Sequence, residues 1–144
     1  MHMHQDDLAS CTCMALRKAS RVLTSIYDRH LARHHITITQ FSLLKNLLRH
    51  GNPALSALAD LMVMDRTTLY RSIEPLEKAG WVKIKAAEKG NIRIASLTKS
   101  GRAKLAIAEP DWKIAQDEIS RNLGTGKLAS LHAASSDIIA LAKD

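Results

Sequence analysis

Residues 55–85 read LSALADLMVMDRTTLYRSIEPLEKAGWVKIK, and the hydrophobic period changes within them. Leu55, Leu58, Ala59 and Met62 recur at i, i+3, i+4 and i+7, the spacing of a short amphipathic helix. Met62-Val63-Met64 separates that helix from Asp65, whose carboxylate can accept the free N–H groups of a new helical turn. Leu69, Ile73 and Leu76 follow at i, i+4 and i+7 and predict a second helix with that side inward. Pro75 lacks the N–H that would bond the Arg71 carbonyl and predicts a kink, and Ala79-Gly80 predicts the helix end. Beyond Gly80 the period becomes two. Trp81-Val82-Lys83-Ile84-Lys85 and Ile92-Arg93-Ile94-Ala95 alternate as strands do, with Lys89-Gly90-Asn91 between them, and predict a basic β-hairpin.

Two short helices joined by a tight turn and followed by a basic hairpin make a winged helix-turn-helix. Burying Leu69, Ile73 and Leu76 leaves Arg66, Thr67, Tyr70, Arg71 and Glu74 outside, with Thr68 beside them. Arginine can bond guanine O6 and N7 with both arms, threonine can touch a thymine methyl, and hydroxyls can reach phosphates. Arg66, Thr67, Thr68, Tyr70 and Arg71 are therefore the candidate DNA-contacting residues of the helix, and Asp65 is read as its cap. In the hairpin Lys83, Lys85, Lys89 and Arg93 are placed to follow a phosphate backbone or enter a minor groove.

The flanks read as helices. On the N-terminal side Leu16, Leu23, Ile26 and Leu31 predict a long helix over 8–33, interrupted by His35-Ile36-Thr37-Ile38. Thr39 is read as the cap of the next helix, with Phe41, Leu44, Leu47 and Leu48 as its stripe, and residues 50–53 as a loop. On the C-terminal side Thr98 caps a long helix over about 99–122 that Pro110 bends. Gly124-Thr125-Gly126 breaks the chain before a last helix striped by Leu128, Leu131, Ile138 and Leu141. The expected fold class is mainly α with a small β-hairpin wing.

The charge follows the same division. Residues 45–104 carry 12 Lys and Arg against 5 Asp and Glu, an excess equal to the formal +7 of all 144 residues. A basic middle between near-neutral ends is the footprint expected for a polyanion. No apolar run reaches a membrane span, residues 1–7 do not make a signal peptide, and Cys11-x-Cys13 is no disulfide framework, so the chain reads as cytoplasmic. With no glycine-rich phosphate loop, paired carboxylates or convincing nucleophile triad, the sequence reads as no enzyme and calls for no cofactor. A helical protein-interaction module that binds no DNA is the alternative from another class. It accounts for the helices and leaves the basic hairpin unexplained.

Leu58-Ala59-Asp60-Leu61, Met64-Asp65-Arg66-Thr67-Thr68-Leu69, Leu76-Glu77-Lys78-Ala79-Gly80-Trp81-Val82 and Leu97-Thr98-Lys99-Ser100-Gly101 together resemble the MarR family in order and spacing. The resemblance implies a homodimer on double-stranded DNA, with recognition helices reading a palindromic operator and an effector that releases a repressor. It implies dimerisation helices over 8–38 and 105–144 and a DNA-binding lobe over 39–104. One departure is clear. The family's wing tip usually carries Asp-x-Arg before Leu-Thr, and here those positions are Lys89 and Asn91, leaving Lys89 or Arg93 as a replacement.

Three effectors are compatible with this sequence. Residues 13–27 are similar to the first helix of the family's organic-hydroperoxide sensors. Cys13 falls on their reactive cysteine and Tyr27 on a tyrosine that bonds it, while Arg17 and Ile38 replace two further tyrosines. Cys11 and Cys13, two apart on a helix, point opposite ways and cannot pair without unwinding it. His30 and His34 have a zinc-compatible spacing beside His35 but no third ligand, so no metal site is assigned. A small organic anion or phenol between the lobe and the dimer helices leaves no motif at all.

Overall fold

A computed structural model of the chain describes residues 10–142. Its elements in order are α1 (Thr12–Leu31) with a 3-10 turn at Ala32–His34, α2 (Ile38–His50), α3 (Leu55–Leu61), α4 (Arg66–Lys78), β1 (Val82–Ala86), β2 (Arg93–Leu97), α5 (Lys99–Leu123) and α6 (Thr125–Ile139). The order expected from the sequence holds throughout, and most differences lie at helix boundaries. Leu8 and Ala9 of the expected first helix lie outside the described residues.

Helix α2 is the hub, in contact with α1, α4, α5 and β2. A helix enclosed on several sides buries more than one stripe. Leu43 is fully buried alongside Phe41, Leu44 and Leu47, while Leu48 of the expected stripe is exposed. Its cap is Thr37, with Thr39 inside the helix. The Thr37 hydroxyl accepts the Gln40 N–H at 3.2 Å, and the Gln40 side chain accepts the Thr37 N–H at 3.0 Å. That reciprocal capping box satisfies two orphan donors at once, which Thr39 has no partner to do.

The turn between α3 and α4 is tight because Val63 adopts the left-handed region at φ 52°. A β-branched residue disfavours that conformation. Bonds from Val63 N–H to the Asp60 carbonyl and from Met64 N–H to the Ala59 carbonyl hold it there. Helix α4 runs through Pro75 to Lys78, and Leu69, Ile73 and Leu76 are all buried, as their spacing predicts. The hairpin pairs antiparallel, with Val82 opposite Leu97, Ile84 opposite Ala95 and Ala86 opposite Arg93. Pro53, expected as loop, and Ala54 beside it add a short rung on the other edge of β2. The Pro53 carbonyl accepts the Ala95 N–H, and Ala54 bridges Ile94. Proline can serve here because the sheet needs only its acceptor.

Helix α5 is capped by Thr98, as expected, and Gly124 alone breaks the chain, with Gly126 inside α6. Side chains from its middle bind the end of α1 and the middle of α2. Asp111, the buried acidic residue among those described, accepts from Arg33 Nε at 2.7 Å and pairs with His34 Nε2 at 2.5 Å. One turn pair further on, Glu118 meets Arg29 and His30, and Lys45 of α2 meets Glu109 at 2.7 Å. Helix α6 buries none of its own residues within the chain. Val22 of α1, Ile107 and Ile114 of α5, and Ile138 and Ile139 of α6 are all exposed.

Two outcomes follow for stability. Hydrogen bonds from His34 and then Arg33 hold the Asp111 carboxyl below the usual carboxylate range. A folded-state pKa below the unfolded value of about 3.9 stabilises the fold above that pH and loses the contribution as pH falls through the folded value. Asp111→Asn should therefore lower stability at neutral pH and flatten the loss on acidification below about pH 4, followed by thermal melts across pH. At Gly101 a Cβ would overlap the Trp81 carbonyl oxygen and come 2.8 Å from Leu97 Cδ1. Gly101→Ala must displace backbone, and denaturant titration should show a loss of about 1–3 kcal/mol, the scale of overpacking.

Candidate nucleic-acid interface

The residues proposed to read DNA share one exposed face of α4. Arg66, Thr67, Thr68, Tyr70 and Arg71 are all solvent-exposed, opposite the buried Leu69, Ile73 and Leu76. Asp65 stands at the start of this helix and its carboxylate accepts the Thr68 N–H at 2.7 Å. That backbone bond, then the Thr68 hydroxyl and the nearby charge of Arg71 hold the Asp65 carboxyl below its ordinary range. The acid is thus committed to the helix end, and among the arginines of this face its charge acts on Arg71. Further along, Glu74 pairs with Lys78 at 3.3 Å, which turns the acidic side chain of this face away from Arg71 by one helical turn.

The wing residues do not form one surface. Successive side chains on a strand point to opposite faces, and directly opposed residues share a face. Lys83 opposite Ser96 and Lys85 opposite Ile94 lie on one face; Ala86 and Arg93 lie on the other, with Ile84 and the fully buried Ala95. Lys89 is exposed in the turn between the strands, where Gly90 has φ 73° and the Ala87 N–H bonds the Ile92 carbonyl at 2.7 Å. The sequence alone gives Arg93 the same role as the three lysines. The register separates it from them and turns it toward α4.

The candidate sensor residues are not brought together within the chain. Cys13 is exposed near the start of α1, and Tyr27 lies about 21 Å further along the same helix at 1.5 Å per residue. The Tyr27 hydroxyl is engaged by the Gln116 side chain on α5, and burial pushes its pKa up. Cys11 stands at the N-cap with extended backbone, just outside the helix, so the opposed geometry expected for two helical cysteines does not apply to it. His30 and His34 are taken up by Glu118 and Asp111. No group of three metal-ligating side chains occurs among the described residues, and no helix among them is long and apolar enough to cross a membrane. Asp111 escaped sequence reading because its partners are 77 and 78 positions away.

Comparison with known proteins agrees with this geometry. The family model for the MarR family matches residues 36–86, from the start of α2 to the end of β1. The crystal structure of the Mycobacterium tuberculosis transcriptional regulator MosR in complex with DNA is 30% identical. It superposes with a TM-score of 0.84 over 93% of this chain and 97% of that one. The chain belongs to the MarR family, whose members are winged-helix transcriptional regulators. The fold is shared more widely. A mutant of Escherichia coli MarR complexed with operator DNA gives a TM-score of 0.82 at 17% identity, over 92% of this chain and 96% of that one. A Bordetella bronchiseptica protein, BpsR, whose DNA binding is regulated by 6-hydroxynicotinic acid, gives 0.80 at 18% identity, over 90% and 94%. No curated protein sequence matches the chain significantly.

Exposed side chains can be removed here without disturbing the core. If Arg71 bonds a base edge, Arg71→Ala should weaken a preferred duplex by about 1–3 kcal/mol more than random DNA. Lys85→Ala, removing a phosphate contact, should weaken both alike. Parallel fluorescence-anisotropy titrations with the two duplexes separate the roles.

Proposed function

We propose that this MarR-family chain is a homodimeric, sequence-specific DNA-binding transcriptional regulator, a repressor that holds a palindromic operator until an effector releases it. The observation that carries this reading is the face of α4. Its basic and hydroxyl side chains stand free in solvent, while three buried aliphatics and the Asp65 cap fix the helix beneath them. Arg66, Thr67, Thr68, Tyr70 and Arg71 enter a major groove, and Lys83, Lys85, Lys89 and Arg93 hold the adjacent backbone. Chains resembling this one have been crystallised with DNA and with operator DNA, which supports the same partner here.

The dimer is supported by what the single chain leaves uncovered. Exposed aliphatics on α1, α5 and α6 make an apolar surface of a kind that isolated soluble domains seldom carry. Leu16, Ile138 and Leu141 line a groove of about 530 Å³ beside Cys13. Residues 8–38 and 105–144 supply this interface, and 39–104 form the DNA-binding lobe. The effector is a small organic molecule, as 6-hydroxynicotinic acid is for BpsR. Relatives with small-molecule effectors favour that class over a hydroperoxide sensor built on Cys13 and Tyr27. The chain acts in the cytoplasm, where its DNA is, and has no catalytic role.

Selection of bound fragments from random duplex DNA should return an inverted repeat. Its affinity should fall with salt at a slope near −0.9 per phosphate contacted. Absence of binding at about 50 mM salt removes the reading. Binding of a single half-site as tightly as the full repeat removes the dimer.

A further inference from the structure

Between α4 and the wing lies a cavity of about 190 Å³. Its polar lining comes from Ser56 on α3, Arg66 and Tyr70 on α4, and Asn91 and Arg93 on the wing. Arg93 reaches it because the hairpin register places that residue on the inward face of the sheet, opposite to Lys83 and Lys85. Neither Arg66 nor Arg93 has an ion-pair or side-chain hydrogen-bond partner among the described residues. The acid adjacent to Arg66 in sequence, Asp65, is occupied by the Thr68 N–H. Two unneutralised guanidiniums facing one concavity repel each other until an anion enters. With a phenol, a hydroxyl and an amide beside them they form a donor set for an oxyanion. Size narrows the choice. At about 30 Å³ per water the cavity holds roughly six waters, below the roughly 300–1,000 Å³ of sites for drug-sized molecules. A tetrahedral oxyanion with part of its hydration shell fits.

We propose that this cavity clamps a single backbone phosphate of the bound duplex, held by Arg66 from the recognition helix and Arg93 from the wing. The proposal rests on the DNA-binding reading and refines it: Arg66 holds the backbone at the groove edge rather than a base, and Arg93 is not a minor-groove finger. One phosphate gripped from both elements fixes the wing relative to the helix on a shared strand. Lys89, in the exposed turn, lines no part of the cavity. The same donor chemistry would accept free inorganic phosphate, so the test must separate the two sources.

Arg93→Ala removes an exposed side chain that makes no bond within the chain, so the fold should be kept. The variant should lose about tenfold in affinity for selected and random duplexes alike, with a salt slope smaller in magnitude by about 0.9 per half-site, about 1.8 for the dimer on a full repeat, and base preference unchanged. In the wild type, a neutral methylphosphonate at one position per half-site should cost at least that loss. In Arg93→Ala, where only Arg66 still holds the phosphate, the same substitution should cost clearly less; equal costs in the two proteins overturn the clamp. A change in preferred bases at the outer positions makes Arg93 a groove reader and overturns the clamp, as does an unchanged slope. Inorganic phosphate at constant ionic strength competes for the same donors, so it should displace duplex more readily from the wild type than from Arg93→Ala, and equal displacement from both overturns the clamp. Selective displacement without any methylphosphonate effect assigns the cavity to a free oxyanion and overturns the duplex phosphate as its occupant. If the wild type binds no duplex, the proposed function fails with the clamp. If it binds and Arg93→Ala behaves identically, only the clamp fails.

Discussion

The carbonyl oxygen of Trp81 accepts the Thr98 N–H at 3.0 Å, and around that one bond helix α4, the wing and α5 are tied together. The Thr98 hydroxyl donates to the Gly80 carbonyl at 2.6 Å and accepts the Gly101 N–H at 3.0 Å, so one side chain closes α4 and opens α5. Gly101 has no Cβ, which lets the first turn of α5 pass directly over the Trp81 backbone. Lys104, one turn on, lies 5.2 Å from the centre of the Trp81 ring and donates to the His34 carbonyl at 2.8 Å. The end of α1 thereby joins the same junction. Rotating α4 means breaking several bonds that share these few atoms, so the angle of its exposed face is set by α5 and α1.

A second set of contacts makes those two helices a rigid frame. Asp111 and Glu118 lie seven residues apart on α5, on one face, and each meets an arginine and a histidine near the end of α1. Exposed pairs of this kind contribute little one by one, and Arg29 and Arg33 are largely exposed. The buried position of Asp111 changes the balance, because a carboxylate removed from water must keep its donors. The pairing fixes the register of α1 against α5 more than it adds stability. It also places the two histidines in a polar seam that links the exposed terminal helices to the hub.

Sequence periodicity made most of the lobe legible because it reports what a single helix buries against its own chain. Leu69, Ile73 and Leu76, the Asp65 and Thr98 caps and the alternation of the first hairpin strand were readable for that reason; in β2 the register reverses it, with Arg93 on the face of buried Ala95 and Ile94 on that of the lysines. On the terminal helices the same periodicity does not say whose core a stripe faces: Leu16 and Ile138 sit at helical spacing yet remain exposed, and Leu141 lies past the end of α6. The cap at Thr37 was missed because its partner, Gln40, had to be weighed together with it. The face of Arg93 could not be read at all. It depends on how many residues the turn between the strands consumes, and a shift of one would exchange Arg93 with Ile94. Asp111 and its partners belong to contacts across nearly eighty residues, which local pattern does not encode.

Length supplies the last constraint on the proposed dimer. Helix α1 has 20 residues and α5 has 25, or roughly 30 and 38 Å at 1.5 Å per residue. Two recognition helices that enter successive major grooves on one side of a duplex must sit about 34–36 Å apart. A single short helix such as α4 reads too few bases to be selective. The remedy is a second copy at fixed spacing, and the terminal helices have both the length and the uncovered apolar surface to provide it. Because the Trp81–Thr98 junction fixes α4 to α5, any ligand that changes how the terminal helices pack must also move the two reading faces relative to each other. Release from DNA then needs no unfolding of the lobe: a change in spacing or tilt suffices to take one half-site out of register.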